Sequence, residues 1–201
     1  MLAKAFFSIV AGVATLASAS AFAQTYAQTV DTFTPANPAV IHPSAVELRR
    51  SPAGVELSAR LTGLTPNGAY SAWWVIFNSP NRCTAPCGMD DIGAGVGQVF
   101  NATGYVSDGS GTANVVASLA RGPIPIGVDR RSQSNPALNP ASEVGLRQPF
   151  TAEIHVIVAR HHGPAITGRM DEQTTAFLGG CDVFACADQQ AAVFLPVRVR
   201  E

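Results

Sequence analysis

The chain has 201 residues, of which 13% are charged, and its formal net charge is −1. Basic and acidic residues are spread along it without a block of one sign, which excludes both a nucleic-acid-binding stripe and a membrane-binding patch. The share of charged residues is about half the usual one, so Ser, Thr, Asn, Gln and Gly must cover much of the surface. Such a surface is typical of exported β-sheet proteins.

The first 23 residues have the three parts of a cleavable export signal. Lys4 supplies a positive charge, residues 6–16 form an apolar core, and Ala21-Phe22-Ala23 gives the small-residue cleavage pattern. The apolar run is broken at residues 17–20 and is shorter than the roughly 20 residues needed to span a bilayer. We therefore expect a periplasmic or extracellular protein that has no stable membrane insertion after cleavage.

Residues 24–44 are polar and contain three prolines, and we expect them to run along an edge of the fold as an N-terminal arm. Residues 45–201 are expected to form a single domain. At the start of this domain, apolar and polar residues alternate on both sides of a turn at residues 51–54. This period of two predicts a hairpin of two strands with one face in water.

The most apolar and aromatic segment, residues 70–77, contains Trp73 and Trp74. Its apolar side chains fall on both faces of a strand, which predicts a central strand covered on both sides. Neighbouring strand residues point to opposite faces. Both tryptophans are therefore expected in the core rather than on a sugar-binding surface.

The connection into this strand, Leu64-Thr65-Pro66-Asn67-Gly68-Ala69-Tyr70, resembles the tyrosine corner of fibronectin type III and other immunoglobulin-like sandwiches. In those domains the tyrosine hydroxyl bonds back to backbone near the turn. The resemblance implies this structural role for Tyr70, with Leu64 and Pro66 shaping the turn. A second turn, Asp108-Gly109-Ser110-Gly111-Thr112-Ala113, is similar to one in chordin-type secreted domains.

Strands are predicted at residues 99–106 and 112–119, paired as a hairpin across this second turn. Residues 121–150 contain five prolines and show little periodicity, and we expect them to form a long loop across one end of the fold. The whole pattern predicts an all-β, antiparallel immunoglobulin-like β-sandwich with long loops and at most one short helix.

Three further elements are predicted towards the end of the chain. A strand at residues 151–160 is ended by His161-His162-Gly163-Pro164, and one or two helical turns follow at residues 171–178. Alternating apolar residues predict a last strand at residues 193–199. Pro196 within it indicates an edge or a bulge.

Four cysteines lie in two close pairs, Cys83/Cys87 and Cys181/Cys186. An even number of cysteines in an exported chain favours disulfides over free thiols. Short loop closure favours a bridge within each pair. A bridge between the two pairs and a zinc site with four thiolates are the alternatives.

Histidine is the one concentrated functional signal, with His155, His161 and His162 close in sequence and His42 far upstream. These residues could bind copper or zinc. At about 3.3 Å per residue, however, His155 and His161 lie about 20 Å apart on an extended strand. A shared metal needs a sharp turn near His161. Without that turn, the histidines lie at a strand end and on the sheet surface.

The acid pairs Asp90-Asp91 and Asp171-Glu172 are interpreted as turn formers rather than calcium ligands. No nucleophile–base motif is present. The sequence therefore favours an exported, non-catalytic binding or scaffolding module without a cofactor, with a protein or glycan as its partner and no nucleic acid. The alternative is a small periplasmic metal-binding protein or metalloenzyme that uses the histidines to hold copper or zinc.

The export signal predicts that the mature protein begins at Gln24, because the small-residue pattern ends at Ala23. The intact mass of protein collected from the periplasm or the culture supernatant tests this directly. A mass that includes residues 1–23 would contradict the prediction.

Overall fold

The computed structural model describes residues 24–84, 86–124 and 145–197. The predicted export signal, most of the 121–150 loop and the end of the predicted last strand lie outside these residues. The strands are β1 (Tyr26–Thr34), β2 (Asn37–Ser51), β3 (Gly54–Leu61), β4 (Gly68–Phe77), β5 (Gln98–Val106), β6 (Ala113–Ala120), β7 (Gly122–Pro123), β8 (Gly145–Leu146), β9 (Glu153–Pro164) and β10 (Ala187–Phe194). The helices are a 3-10 turn (Pro80–Arg82), α1 (Met89–Gly93) and α2 (Met170–Thr175).

Eight strands form one antiparallel sheet in the order β5-β4-β9-β10-β1-β2-β3-β6, while β7 pairs with β8 separately. The sheet curls until its two edge strands, β5 and β6, are in contact, so it is nearly closed. The all-β, antiparallel prediction is confirmed. The immunoglobulin-like arrangement stays a prediction, since the described strands of the main sheet form one continuous ladder. Two short α-helices are present where at most one was expected.

The inside of the curled sheet holds the larger hydrophobic core. From Val55 to the end of β3, buried and exposed residues alternate, and the apolar side chains Val55, Leu57 and Leu61 point into this core. β2 and β3 are paired up to the turn that joins them, where Arg50 lies opposite Val55 and Ser51 lies opposite Gly54. The predicted hairpin is therefore confirmed, and it forms for the expected reason: one face is dry and the other wet.

β4 is buried along its whole length, with β5 on one side and β9 on the other. Trp74 belongs to the inner core, whereas Trp73 lies in a second cluster on the outer face of the sheet. This outer cluster consists of Trp73, Val75, Phe77, Cys87, Ile92 and Val99. The prediction of a central strand with both tryptophans in the core is confirmed.

The prediction that residues 24–44 run along an edge as an N-terminal arm is wrong, because these residues form β1 and the first half of β2. β1 lies inside the sheet between β10 and β2. Pro38 and Pro43 fall where the register between β1 and β2 shifts, so neither interrupts a regular ladder. Proline is tolerated at such irregularities.

The predicted hairpin of β5 and β6 is also wrong in its pairing. β5 pairs with β4 and β6 pairs with β3, so the turn between them links the two edges of the sheet. That turn docks on the segment resembling a tyrosine corner, where the Leu64 N–H donates to the Gly111 carbonyl at 3.0 Å. Within the segment, the Thr65 N–H donates to the Tyr70 hydroxyl at 2.8 Å.

Two predictions near the end of the chain need correction. β9 continues through His161 and His162 to Pro164, because β4 pairs with it as far as Pro164 and β10 as far as His161. β10 lies between β9 and β1 rather than at an edge, and Pro196 follows its end. The predicted helical turns near residue 171 are confirmed by α2, which packs against β4 and β5.

Arg50 is fully buried at the end of β2, and among the described residues no carboxylate accepts a hydrogen bond from it. Burial lowers the pKa of its guanidinium to about 10, so the group is still charged at neutral pH. Instead of an anion, five oxygens accept its hydrogen bonds: those of the Gln28 side chain and of the Pro149, Ala152, Phe194 and Leu195 carbonyls, at 2.5–3.2 Å. This one side chain therefore joins β1, β2, the end of β10 and the segment before β9.

Replacing Arg50 with Met should lower the free energy of unfolding by about 3–5 kcal/mol, because it leaves several buried carbonyls without a donor. The neighbouring Arg49→Met provides the matched control, since the Arg49 side chain is mostly exposed and its loss should leave the free energy of unfolding nearly unchanged. Urea denaturation of both variants measures the difference. Equal losses in the two variants would contradict the structural role of Arg50.

Candidate functional site

The structure gives the four candidate histidines four separate settings. His42 Nε2 lies 2.8 Å from the Thr34 hydroxyl, and His155 Nε2 lies 2.6 Å from the Glu153 carboxylate. The ring of His161 packs against the ring of Tyr70. His162 is completely buried, in contrast to the sequence-based expectation of a surface histidine. The hypothetical copper or zinc site made by these four histidines is not formed.

Strand geometry explains why His161 and His162 separate. Consecutive residues of β9 point to opposite faces. His161 faces the inner core through its contact with Tyr70, and His162 faces the outer side, where it meets Ser71 of β4. A pair of adjacent histidines on a regular strand therefore cannot act together.

His162 instead contacts the second cysteine pair. Among the residues that the structure describes, one group of at least three His, Cys, Asp or Glu side chains has ligand atoms within 4.8 Å of one another: His162, Cys181 and Cys186. His162 Nδ1 lies 3.3 Å from Cys186 Sγ. The two cysteines form a disulfide, as do Cys83 and Cys87, so the predicted local pairing is confirmed.

A chain of buried hydrogen bonds holds the His162 ring. The Trp73 indole N–H donates to Ser71 Oγ at 2.7 Å, and Ser71 Oγ lies 2.7 Å from His162 Nε2. An indole N–H can only donate, so the Ser71 hydroxyl is free to donate its own proton to Nε2. The remaining ring proton is then on Nδ1, where it points at Cys186 Sγ.

Burial, with smaller contributions from the positive charges of Arg160 and of protonated His161, lowers the pKa of His162 to about 4. The ring is therefore neutral at pH 7. A neutral imidazole has one N–H and one free lone pair, as the hydrogen-bond chain through Ser71 requires. The lone pair is the feature that a metal ion would use.

Gln173 of α2 holds the end of β9 and the turn after it, and Phe184 of the second cysteine loop packs on that end. The Gln173 amide donates to the carbonyls of His162 and Pro164, both at 2.9 Å, and its oxygen accepts from the Ile166 N–H. Gly163 has a φ of +90° and lies under the ring of Phe184, where a Cβ would overlap the ring. The cysteine loop is thus fixed on the end of β9.

A second feature of the outer face is an apolar cavity of about 500 Å³. Its floor is formed by β4, β9 and β10, and its walls by the turn between β1 and β2 and by the segment around α1. We call it the outer cavity. It is lined by Phe33, Pro35, Pro38, Val75, Phe77, Pro86, Cys87, Gly88, Met89, Ile92, His155, Val156, Ile157, Asp188, Ala191 and Val193.

Among the described residues that line the outer cavity, two have ionisable side chains, and both already have a partner. His155 is bonded to Glu153, and its ring lies 5.0 Å from that of Phe77. Asp188 forms an ion pair with Arg160 at 2.5 Å. The remaining lining consists of aliphatic and aromatic side chains, a glycine and a disulfide cysteine. The described lining of the cavity therefore offers a large apolar surface and no unpaired charge.

One member of each acid pair has a structural role, Asp91 in the first pair and Glu172 in the second. The Asp91 carboxylate accepts from the N–H groups of Gly88 and Thr84, at 2.7 and 3.1 Å, and so fixes the start of α1. Arg169 forms ion pairs with Glu172 and Asp182, and its hydrogen bonds lower the pKa of both carboxyl groups. Asp91 thus caps a helix instead of lying in a solvated turn.

Comparison of the chain with models of protein families, with curated proteins and with solved structures found no match in any of the three. The resemblances to immunoglobulin-like and chordin-type domains therefore stay predictions. Within residues 24–84, 86–124 and 145–197, the helices are all too short or too polar to cross a membrane.

Sequence reasoning missed both the His162–disulfide contact and the outer cavity. His162 and Cys186 are 24 residues apart, and Ser71 is a further 91 residues before His162, so no local spacing reveals them. A strand continued through His162 with regular alternation would have placed its ring on the inner face, with Ile154 and Val158. The register shift between β9 and β10 near Ala159 moves it to the outer face, and no sequence pattern reveals that shift.

The lowered pKa of His162 predicts a stability loss in acid. The unfolded chain binds a proton at His162 near pH 6.5, whereas the folded chain does so only near pH 4. The free energy of unfolding should therefore fall as the pH is lowered from about 6.5 to 4, by up to about 3 kcal/mol from this residue. His162→Gln removes this contribution, so urea denaturation at several pH values should give it a shallower loss. Identical pH profiles would contradict the assignment.

Proposed function

We propose that this protein is a non-catalytic binding protein that holds a small, neutral and largely apolar molecule in the outer cavity. The observation that supports this most directly is the cavity itself, with apolar walls and both ionisable side chains paired. Its volume of about 500 Å³ lies within the range of small-molecule sites.

The cavity walls indicate how binding would be driven. A ligand that buries about 200 Å² of apolar surface there gains about 5 kcal/mol before the entropy of association is subtracted. The floor is a sheet whose backbone bonds are satisfied, and the first disulfide closes one wall through Cys87. The site is therefore largely formed before the ligand arrives.

The charges around the cavity favour a neutral ligand. Asp188 is paired with Arg160, and the Glu153 carboxylate is bonded to His155, so neither acidic side chain is left to attract a cation. Glu153 occupies Nε2 of His155, which leaves Nδ1 as the ring nitrogen that can bond a ligand. A compact aromatic or aliphatic molecule with one hydroxyl group fits this arrangement.

Two other hypotheses from the sequence, a glycan partner and a metal site made by the histidines, receive less support. Stacking of a glycan on the tryptophans would need at least one of them exposed, but Trp73 and Trp74 are both buried. Metal binding by the four histidines would need them together, and they lie in separate settings. We further propose that the protein acts in the periplasm or outside the cell, with residues 1–23 as its export signal, because two disulfides favour an oxidising compartment.

The neutral fluorescent probe N-phenyl-1-naphthylamine tests the proposed site. We expect saturable binding of one molecule per chain and displacement by 1-naphthol, with weaker displacement by the anion 1-naphthoate. Val193→Trp places an indole in the cavity and should weaken binding at least 10-fold. Val116→Trp is the matched control, since Val116 is 72% exposed on β6, outside the cavity lining, and should leave binding unchanged.

Equal affinity of the two variants would show that the probe binds elsewhere and would contradict the outer cavity as the site. Stronger displacement by 1-naphthoate than by 1-naphthol would contradict the preference for a neutral ligand. Circular dichroism of both variants establishes that they are folded.

A further inference from the structure

The second disulfide differs from the first in having a histidine against it. Cys181 and Cys186 are partly accessible, and the Nδ1 atom of the fully buried His162 lies behind them. The first disulfide has no such neighbour in the part of the chain that the structure describes, and Cys87 is buried in the outer cluster. Only the second pair therefore combines sulfur atoms, an imidazole and access from solvent.

We propose that the Cys181–Cys186 pair is a redox-controlled metal site: after reduction, its two thiolates and His162 bind one zinc-class divalent ion. This site is independent of the outer cavity and of the function proposed for it. Oxidation to the disulfide removes two of the three ligands, so the metal is bound in the reduced state alone.

The chemistry proceeds in two balanced steps. A thiol or dithiol reductant donates two electrons and two protons, the Cys181–Cys186 bond breaks, and the reductant becomes the disulfide. The metal ion then displaces the two thiol protons to solvent and forms two metal–sulfur bonds and one metal–nitrogen bond. Two thiolates and a neutral imidazole balance the charge of a divalent ion, so the half-buried site has no net charge.

The distances suit this ion with little movement. Zinc lies about 2.3 Å from sulfur and about 2.0–2.1 Å from imidazole nitrogen, so tetrahedral ligands stand about 3.5 Å (nitrogen to sulfur) and about 3.8 Å (sulfur to sulfur) apart. His162 Nδ1 is already 3.3 Å from Cys186 Sγ. The remaining change is the separation of the two sulfur atoms once their bond is broken.

Ser71 provides the support that a ligating histidine needs. When Nδ1 binds the metal, the ring proton is on Nε2 and is donated to Ser71 Oγ, 2.7 Å away. The Ser71 oxygen has two lone pairs, so it accepts this proton and the Trp73 N–H together. A hydrogen bond from the second ring nitrogen is the common arrangement around metal-bound histidines, because it fixes the ring and its tautomer.

The site is open on one side. The loop between the cysteines includes the exposed residues Asp182, Val183 and Ala185. Three protein ligands leave the fourth tetrahedral position facing this side, where water can occupy it. The same opening admits the reductant and the ion.

The test is a titration of the whole protein with Co²⁺, whose thiolate complexes have characteristic absorption bands, with and without prior reduction under anaerobic conditions. We expect one Co²⁺ per chain in the reduced protein, displaced by Zn²⁺, and none in the oxidised protein. His162→Gln should weaken binding at least 10-fold, and Cys181→Ser/Cys186→Ser should abolish it. Cys83→Ser/Cys87→Ser is the matched control and should bind like the wild type.

Several results would overturn the proposal, and the first needs no variant. Reduced wild-type protein that binds no Co²⁺, whether it stays folded or unfolds, excludes the site. Equal binding by the oxidised protein shows that the sulfurs are not ligands. Loss of binding in the Cys83→Ser/Cys87→Ser control, with retention in Cys181→Ser/Cys186→Ser, places the metal on the first pair.

Discussion

The backbone and side chains of β4 are removed from water on both faces, and this double burial constrains everything outside the sheet. The outer face of a curled sheet must be covered when its side chains are as large as Trp73 and Phe77. Short irregular segments provide the cover: the region around α1, and α2 with the loop that follows it. Such segments cannot bury much apolar surface of their own, so each depends on one local disulfide. The outer cavity lies where the segment around α1 meets the sheet. The group formed by His162, Cys181 and Cys186 lies where the loop after α2 meets the sheet.

Two large polar side chains that the curled sheet buries, Gln190 and Arg50, make their hydrogen bonds within the protein, whereas the buried His161 Nε2 has no partner among the described residues. Gln190 of β10 accepts a hydrogen bond from the Thr32 hydroxyl at 2.9 Å and donates to the Thr62 carbonyl at 2.7 Å. Arg50 serves several segments at the other end of β10 in the same manner. Buried groups of this kind are costly when they lose a partner, so they favour one arrangement of the strands over others. The core is therefore specified by hydrogen bonds as well as by apolar packing.

The sequence predicted well the features that depend on neighbouring residues. The alternation in β3 and the double-faced apolar run of β4 are local patterns, and both strands were placed correctly. Pairing of β1 with β10 and of β6 with β3 depends on residues far apart in the chain, and neither was foreseen. The prediction of a site from the histidines missed the observed contacts for the same reason. The partner of His162 is fixed by the register of β9 on β4, and the outer cavity is built from segments that span residues 33–193.

The six-residue turn between β5 and β6 has a consequence for how this protein behaves among its own copies. An exposed edge strand offers a row of unpaired N–H and C=O groups on which another chain can build. Here the two edge strands of the sheet are consecutive in the chain, and a short covalent link keeps them in contact. Each edge is thus shielded by the other, without the lysines that commonly protect edges and that are absent from residues 5–201. We therefore expect the nearly closed shape of the sheet to limit edge-to-edge pairing with other copies. Few charged side chains are available on this protein to do so.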